Sequence, residues 1–234
     1  MKIDGSTALV TGASRGLGRH IAAALAARGA TVYAAARNPD TVDLDGVKPV
    51  ELDITDPTSV ARAAELAGDV TILVNNAGSS TGSSLLTGDV GQIRLEMDTH
   101  YFGTLAAARA FAPVITANGG GSMLNILSAL SWISFPGSGA YCAAKSAEWS
   151  LTNALRAELA EQGVRVAALH VGYMDTDMTR GITAPKSDPA EIAALAVDGI
   201  ASGSYEIIAD EVSRQVQAGL AGGVAALYPK LPTA

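Results

Sequence analysis

This sequence predicts a doubly wound α/β fold, a parallel sheet with helices on both faces, and three observations carry the prediction. Short runs of Val, Ile, Leu and Ala alternate with longer helical stretches as far as about Val171. Most of the runs are near-continuous in apolar residues, as strands covered on both faces are. A glycine-rich turn, Thr11-Gly12-Ala13-Ser14-Arg15-Gly16-Leu17-Gly18, joins the first run to the first helix.

Taken in order, Thr7 to Val10 is a buried strand, followed by the turn and an Ala-rich helix from about Gly16 to Arg28. Thr31 to Ala36 is the second strand and Val47 to Leu52 the third. Asp56 then caps a helix that carries Pro57 in its first turn and runs to about Leu66. Thr71 to Val74 is the fourth strand, and one long helix from about Gly91 to Ala117 ends at Asn118-Gly119-Gly120-Gly121. Ser122 to Leu127 is the fifth strand, Gly139 to Gln162 a helix, and Val164 to Val171 the sixth strand. Two modest helices follow, Pro189 to Ala201 and Ala209 to Ala221, and the tail from Ala221 to Ala234 has no clear pattern. No linker, repeat or low-complexity segment interrupts the chain, so residues 1–234 are expected to form a single dinucleotide-binding and catalytic domain.

Composition narrows the function classes. Hydrophobic residues make up 48% and charged residues 17%, which supplies a sizeable core and excludes disorder. The formal charge of -7 disfavours nucleic acid or an anionic membrane as a partner. The apolar runs are too short to span a bilayer, and no long apolar stretch precedes Gly5, which argues against a secretory signal. The one cysteine, Cys142, excludes an internal disulfide and suits a reducing cytoplasm.

In a doubly wound sheet, ligands sit at the carboxyl ends of the strands. Glycines in the first turn let the backbone approach a pyrophosphate, and the helix that follows offers free N–H groups and a positive dipole end. The spacing here is Gly-x-x-x-Gly-x-Gly, not the commoner Gly-x-Gly-x-x-Gly, and a ligand-free connection is the bland alternative. At the end of the second strand, Tyr33-Ala34-Ala35-Ala36-Arg37-Asn38 has alanine where a ribose-binding acid would sit, with Arg37 next. Arg15 adds a second cation. Two cations without an acid favour NADP over NAD, unless both arginines are merely solvated.

Tyr141 and Lys145 stand four residues apart in the helix from Gly139, so both face the same way. An ammonium beside a phenol favours its ionised form and makes it usable as an acid and base near neutral pH. Alone, Tyr-x-x-x-Lys is a weak signal. Its weight comes from Ser128 upstream and from the glycine turn.

Together these features resemble the short-chain dehydrogenase/reductase family, in its single-domain branch, over about Thr7 to Met178. The resemblance assigns the glycine motif to Thr11 to Gly18, with Gly12, Ser14, Arg15, Gly16, Leu17 and Gly18 at the cofactor. It places the adenine-side acid at Asp53, next to Ile54, and the segment after the fourth strand at Asn75-Asn76-Ala77-Gly78. It implies that Tyr141 exchanges a proton with the substrate oxygen and that Ser128 hydrogen-bonds the same oxygen. Lys145 would lower the tyrosine pKa and hold the nicotinamide ribose, while Gly172 and Thr176 flank the nicotinamide. Ser131 lies near Ser128, but the family's serine stands thirteen residues before the tyrosine, which selects Ser128.

Three positions depart from the family pattern. His100 occupies the place of an asparagine that holds a water in a proton relay to the lysine, and it either keeps the relay or fills space on a buried helix. Val171-Gly172 replaces the usual Pro-Gly. The C-terminus lacks the Gly-Gly-ended final strand that many members use in forming a tetramer, so the expected assembly is a homodimer or homotetramer, with the dimer the milder expectation.

Substrate contacts are expected from the loop Ala129 to Pro136 and from the segment Asp177 to Pro185. The apolar, aromatic first loop suggests a hydrophobic ketone, aldehyde or secondary alcohol, with core packing the alternative for Trp132 and Phe135. Arg180 is expected to face solvent. His20, His170 and Cys142 have no partners at metal-ligand spacing, so no metal is expected. The function expected is an NADP(H)-dependent carbonyl reductase, or the reverse alcohol dehydrogenase. The alternative is a non-catalytic NADP-binding sensor or partner protein on the same fold.

Overall fold

The computed structural model describes residues 1–231. Among them the apolar runs form β1 (Thr7–Thr11), β2 (Thr31–Ala36), β3 (Lys48–Glu51), β4 (Ile72–Asn75), β5 (Gly121–Ser128), β6 (Val164–Val171) and β7 (Glu206–Ile208). All pair in parallel, in the order β3-β2-β1-β4-β5-β6-β7. Strand order reverses between β1 and β4, the switch point at which a Rossmann sheet opens a crevice beyond its strand ends.

Successive residues of the central strands alternate between two apolar layers, which is why those runs are mostly apolar. Ala8 and Val10 join Leu124, Ile126, Ala167 and Leu169 beneath α1 (Gly16–Ala27) and α6 (Pro189–Ser202). Leu9, Leu73, Met123 and Val166 face the other way, beneath α2 (Pro57–Leu66), α4 (Thr104–Ala117) and α5 (Gly139–Glu158). Phe111, Ile115, Leu151 and Leu155 fill that second layer.

Helix starts follow local chemistry. Asp56, with Pro57 after it, accepts the Thr58 amide, and Asp188 caps α6 through Ala190 beside Pro189. By contrast α1 begins at Arg15 with no side-chain cap and no acid in its first turn. Its first amides therefore stay open at the sheet's carboxyl edge.

The structure corrects the sequence reading in two places. The long helix expected from Gly91 to Ala117 is α3 (Val90–Met97), a π-helical turn Asp98–Gly103, and α4. A π turn inserts a residue and re-aims the side chains around it, here turning Thr99 and His100 inward. Gly103 packs so closely that an added Cβ would lie 2.8 Å from Ile54 Cδ1. The second correction is β7, absent from the sequence reading. Its three residues are too few to show a period, and it is held by pairing with Ala168, Leu169 and His170. The expected helix Ala209 to Ala221 is α7 (Glu211–Gly219) and a short 3-10 turn, and α8 (Gly223–Leu227) lies in the tail. The end of that tail, residues 232–234, lies outside the described residues. No helix among the described residues is long and apolar enough to cross a membrane.

Candidate active site

The strand ends and the first turns of α1 and α5 gather the residues that the sequence singles out. At the end of β1, Gly12 takes φ 65, and an added Cβ would sit 2.9 Å from Ala77 Cα. A Cβ on Gly18 would meet the Gly12 carbonyl oxygen at 2.4 Å. Both positions therefore demand glycine. Asn76 braces the turn by donating from Nδ2 to the Thr11 carbonyl at 2.9 Å and the Gly12 carbonyl at 3.3 Å. Thr11 Oγ1 accepts the amides of Asn76 and Ala77, both at 2.9 Å. The β1 and β4 ends thus form one cradle over the open end of α1, which fits a dinucleotide pyrophosphate. Ser14 and Gly16 are partly exposed in that turn, while Leu17 is buried in the core.

Arg37 is exposed directly after β2, and Arg15 is exposed at the start of α1. The exposed Arg15 guanidinium lies 3.7 Å from Asp177 Oδ2. Asp177 also pairs with Arg180, in keeping with an exposed Arg180. Asp53 follows β3 and uses Oδ1 to hold the amide and hydroxyl of Thr55 at 2.9 and 2.7 Å, with buried Ile54 between them. Beyond β6, Asp210 accepts the Gly172 amide at 2.6 Å, and Thr176 lies against the glycine turn, its Cγ2 being 3.5 Å from a Cβ built on Gly16.

Ser128 ends β5, where its hydroxyl accepts the Leu130 amide at 3.1 Å. The Ser131 hydroxyl is buried and turned back to the Ser128 amide at 3.3 Å, which makes it a local cap. Tyr141 and Lys145 share one face of α5, with Nζ 6.0 Å from the phenol ring centre. Lys145 is buried and donates to the Ile126 carbonyl and to Glu148 Oε2, each at 2.7 Å. Glu148 in turn accepts the Thr104 hydroxyl at 2.8 Å.

That pairing alters the electrostatics expected of the tyrosine. Burial has the largest influence on Tyr141 and raises its pKa; Lys145 pulls it down, Glu148 pushes it up, the Ser128 hydrogen bond lowers it, and Glu96 raises it. The net is above the ordinary phenol value: Lys145 does lower the phenol pKa, as the spacing implies, but burial outweighs it. Burial works to lower the Lys145 pKa, but Glu148 and Tyr141 outweigh it and the ammonium is favoured.

His100 is buried edge-on to Tyr141, ring centres 5.2 Å apart. Its Nε2 lies 2.8 Å from the Ser79 carbonyl and 3.3 Å from Glu96 Oε2. Burial raises the Glu96 pKa, but hydrogen bonds from His100 and Thr81 and the His100 charge interaction bring it below the usual carboxylate value. Glu96, Glu148 and Asp210 escaped the sequence reading. Glu148 stands three residues beyond Lys145 and Glu96 four before His100, so helical spacing held the signal for both.

Trp132 packs as core, stacked on His170 at 3.8 Å, and Cys142 is buried with no disulfide partner. Phe135 is half-exposed. The described residues contain no cluster suited to a metal ion.

Comparison with known proteins places these features in context. Residues 6–187 match the family described as short chain dehydrogenase. A short-chain dehydrogenase from Burkholderia cenocepacia J2315, solved in complex with NADP, is 39% identical, with a TM-score of 0.94 and 100% of each chain covered. The 1-deoxy-11-beta-hydroxypentalenate dehydrogenase of Streptomyces avermitilis is 32% identical over 92% of this chain and 81% of its own length. The 3-oxoacyl-(acyl-carrier-protein) reductase of Escherichia coli is 32% identical over 88% of each.

Proposed function

Since the chain belongs to the short-chain dehydrogenase family, we propose that it is an NADP(H)-dependent oxidoreductase that interconverts a hydrophobic ketone or aldehyde and its alcohol. The observation that carries this reading is the convergence of Ser128, Tyr141 and Lys145 at the end of β5, beside an uncapped α1 and its glycine cradle.

In this reading residues 1–234 act as one dinucleotide-binding and catalytic unit. Gly12, Ser14, Gly16, Leu17 and Gly18 hold the pyrophosphate against the α1 amides. Asp53 and Ile54 flank the adenine, Asn76-Ala77-Gly78 supports the ribose, and Gly172 and Thr176 flank the nicotinamide. Arg37 and Arg15 take the 2′-phosphate, with Arg15 exchanging Asp177 for it. The NADP held by the similar Burkholderia enzyme supports that choice. When bound, the nicotinamide supplies or accepts the hydride.

The chain's own residues handle the proton and the developing charge. Ser128 donates a hydrogen bond to the carbonyl oxygen and stabilises the negative charge that grows there. Tyr141 gives that oxygen its proton. Tyr141 holds its proton at neutral pH, because burial, the largest influence, raises its pKa, while Lys145 pulls the other way and eases the proton's release. Lys145 stays cationic and steadies the phenolate left behind. Exposed Leu85, Leu86, Phe135 and Met178 favour an apolar substrate, and Leu85 lies 2.7 Å from a Cβ built on Gly139, two residues before Tyr141. We place the enzyme in the cytoplasm as a homodimer or homotetramer.

The test is to mix the protein with NADPH and a panel of hydrophobic ketones and follow cofactor consumption. Turnover with at least one ketone is expected, with NADPH favoured over NADH. Tight NADPH binding with no consumption across the panel would overturn the reading in favour of a sensor.

A further inference from the structure

A side chain from the neighbouring strand holds the backbone of Ser128. His170, one residue before the end of β6, brings Nδ1 to 3.3 Å from the Ser128 carbonyl oxygen. Both residues are buried. The strand ladder runs out at this point. Ser128 and Val171 are the last paired positions of β5 and β6, and the next amide, that of Gly172, donates to Asp210. The Ser128 amide donates to Ser131 Oγ at 3.3 Å, and Ser128 Oγ accepts the Leu130 amide at 3.1 Å. The hydroxyl therefore takes its direction from the Leu130 amide. The peptide leading to that amide is oriented by the carbonyl that His170 holds.

The ring is arranged to give one hydrogen bond in one direction. A carbonyl only accepts, so Nδ1 carries the ring proton. Burial, reinforced by the Lys145 and Arg156 charges and opposed by the Ser128 bond, keeps the ring neutral at pH 7. Nε2 is then a bare, buried lone pair without a hydrogen-bond partner, 4.0 Å from Glu206 Oε1 of β7. Trp132 covers one face of the imidazole and blocks its tilting away from the Ser128 oxygen on that side. The indole is itself backed edge-on by Trp149 of α5, ring centres 6.3 Å apart. An apolar residue would fill this space without orphaning a nitrogen, so packing alone gives no reason for a histidine.

We infer that His170 is a positioning residue for the reaction: by holding the Ser128 carbonyl it sets the direction in which the Ser128 hydroxyl meets the substrate oxygen, and Trp132 sets the ring. The inference rests on the role proposed for Ser128. No proton or electron passes through the imidazole; its bond to the carbonyl is kept throughout. The hydrogen bond from Ser128 strengthens as charge grows on the substrate oxygen, and it weakens steeply when misaligned. A small turn of the peptide after Ser128 therefore costs rate, while the dinucleotide cradle at the β1 and β4 ends is untouched.

The test is a kinetic cycle on the full chain with NADPH and an accepted ketone. His170→Phe keeps an aromatic face for Trp132 and removes the N–H. Its kcat is expected to fall about ten-fold or more, with NADPH affinity held within about two-fold. His170→Asn puts an amide N–H close to where Nδ1 stood and should restore most of kcat. In a Ser128→Ala background His170→Phe should cost nothing further, because its effect passes through that hydroxyl. Should His170→Phe fail to fold, His170→Leu removes the same donor in a smaller volume and takes its place in the cycle. A wild-type kcat in the variant without the donor, no recovery in His170→Asn, or an equal loss with and without the Ser128 hydroxyl would each overturn the inference. A wild-type rate in Ser128→Ala would instead overturn the role of Ser128 in the proposed function.

Discussion

The indole of Trp132 lies flat on the imidazole of His170, with ring centres 3.8 Å apart and planes 13° apart. The imidazole is fully buried at the end of β6, and its Nδ1 lies 3.3 Å from the Ser128 carbonyl. Burial lowers the His170 pKa to about 4; the hydrogen bond to Ser128 opposes this, and the Lys145 and Arg156 charges add to it.

A histidine kept neutral in the fold but free to protonate when unfolded makes stability depend on pH. Above the unfolded pKa of 6.5 neither state binds the proton, so nothing is lost. Between 6.5 and about 4 the unfolded chain binds more protons, and stability falls as pH falls. The full loss is roughly 3 kcal/mol. Thermal unfolding across this window should show a steep acid-side decline in the wild type and a flatter one in His170→Gln. Parallel curves would mean that His170 does not hold this linkage.

Arg37 tests the cofactor assignment. A charged hydrogen bond to a 2′-phosphate is worth about 1.5–3 kcal/mol, or roughly 10- to 100-fold in affinity. Fluorescence titration of Arg37→Asp should show NADPH binding weakened by at least the lower figure and NADH binding little changed. An unaltered preference would place the phosphate on other residues.

Asp210 joins two jobs in one carboxylate. Its Oδ1 accepts the Ser213 amide at 2.8 Å and caps α7, while Oδ2 holds the Gly172 amide at 2.6 Å. Asp210→Ala should cost about 1 kcal/mol of stability from the cap and raise KM for NADPH by loosening Gly172. Asp210→Asn should recover most of the stability. Calorimetry and steady-state kinetics together separate the two effects, and an Ala variant with an unchanged KM would dissociate Gly172 from cofactor binding.

Much of this molecule is written locally in its sequence. Strands buried on both faces, as Leu9 and Val10 or Met123 and Leu124 show, are largely apolar, so their order along the chain displayed the parallel sheet. The Asp56-Pro57 pair marked one helix start, and Gly12 and Gly18 marked a turn whose tightness the structure measures. What was missed depends on partners distant in the chain. β7 exists because β6 offers an edge, and its three residues carry no period of their own. The π turn at Asp98–Gly103 lies inside a stretch whose composition suits a continuous helix. The net pKa of Tyr141 likewise needed the fold: burial among residues from several elements has the largest influence and outweighs the Lys145 charge one turn away.

The central claim is that the Tyr141 hydroxyl delivers the proton to the reduced carbonyl. Single-turnover measurement with NADPH already bound, comparing wild type and Tyr141→Phe on the same ketone, tests it most directly. The account expects hydride transfer in the variant to slow by about 100-fold or more, with NADPH affinity within a few-fold of wild type. Hydride transfer at the wild-type rate in Tyr141→Phe would contradict it.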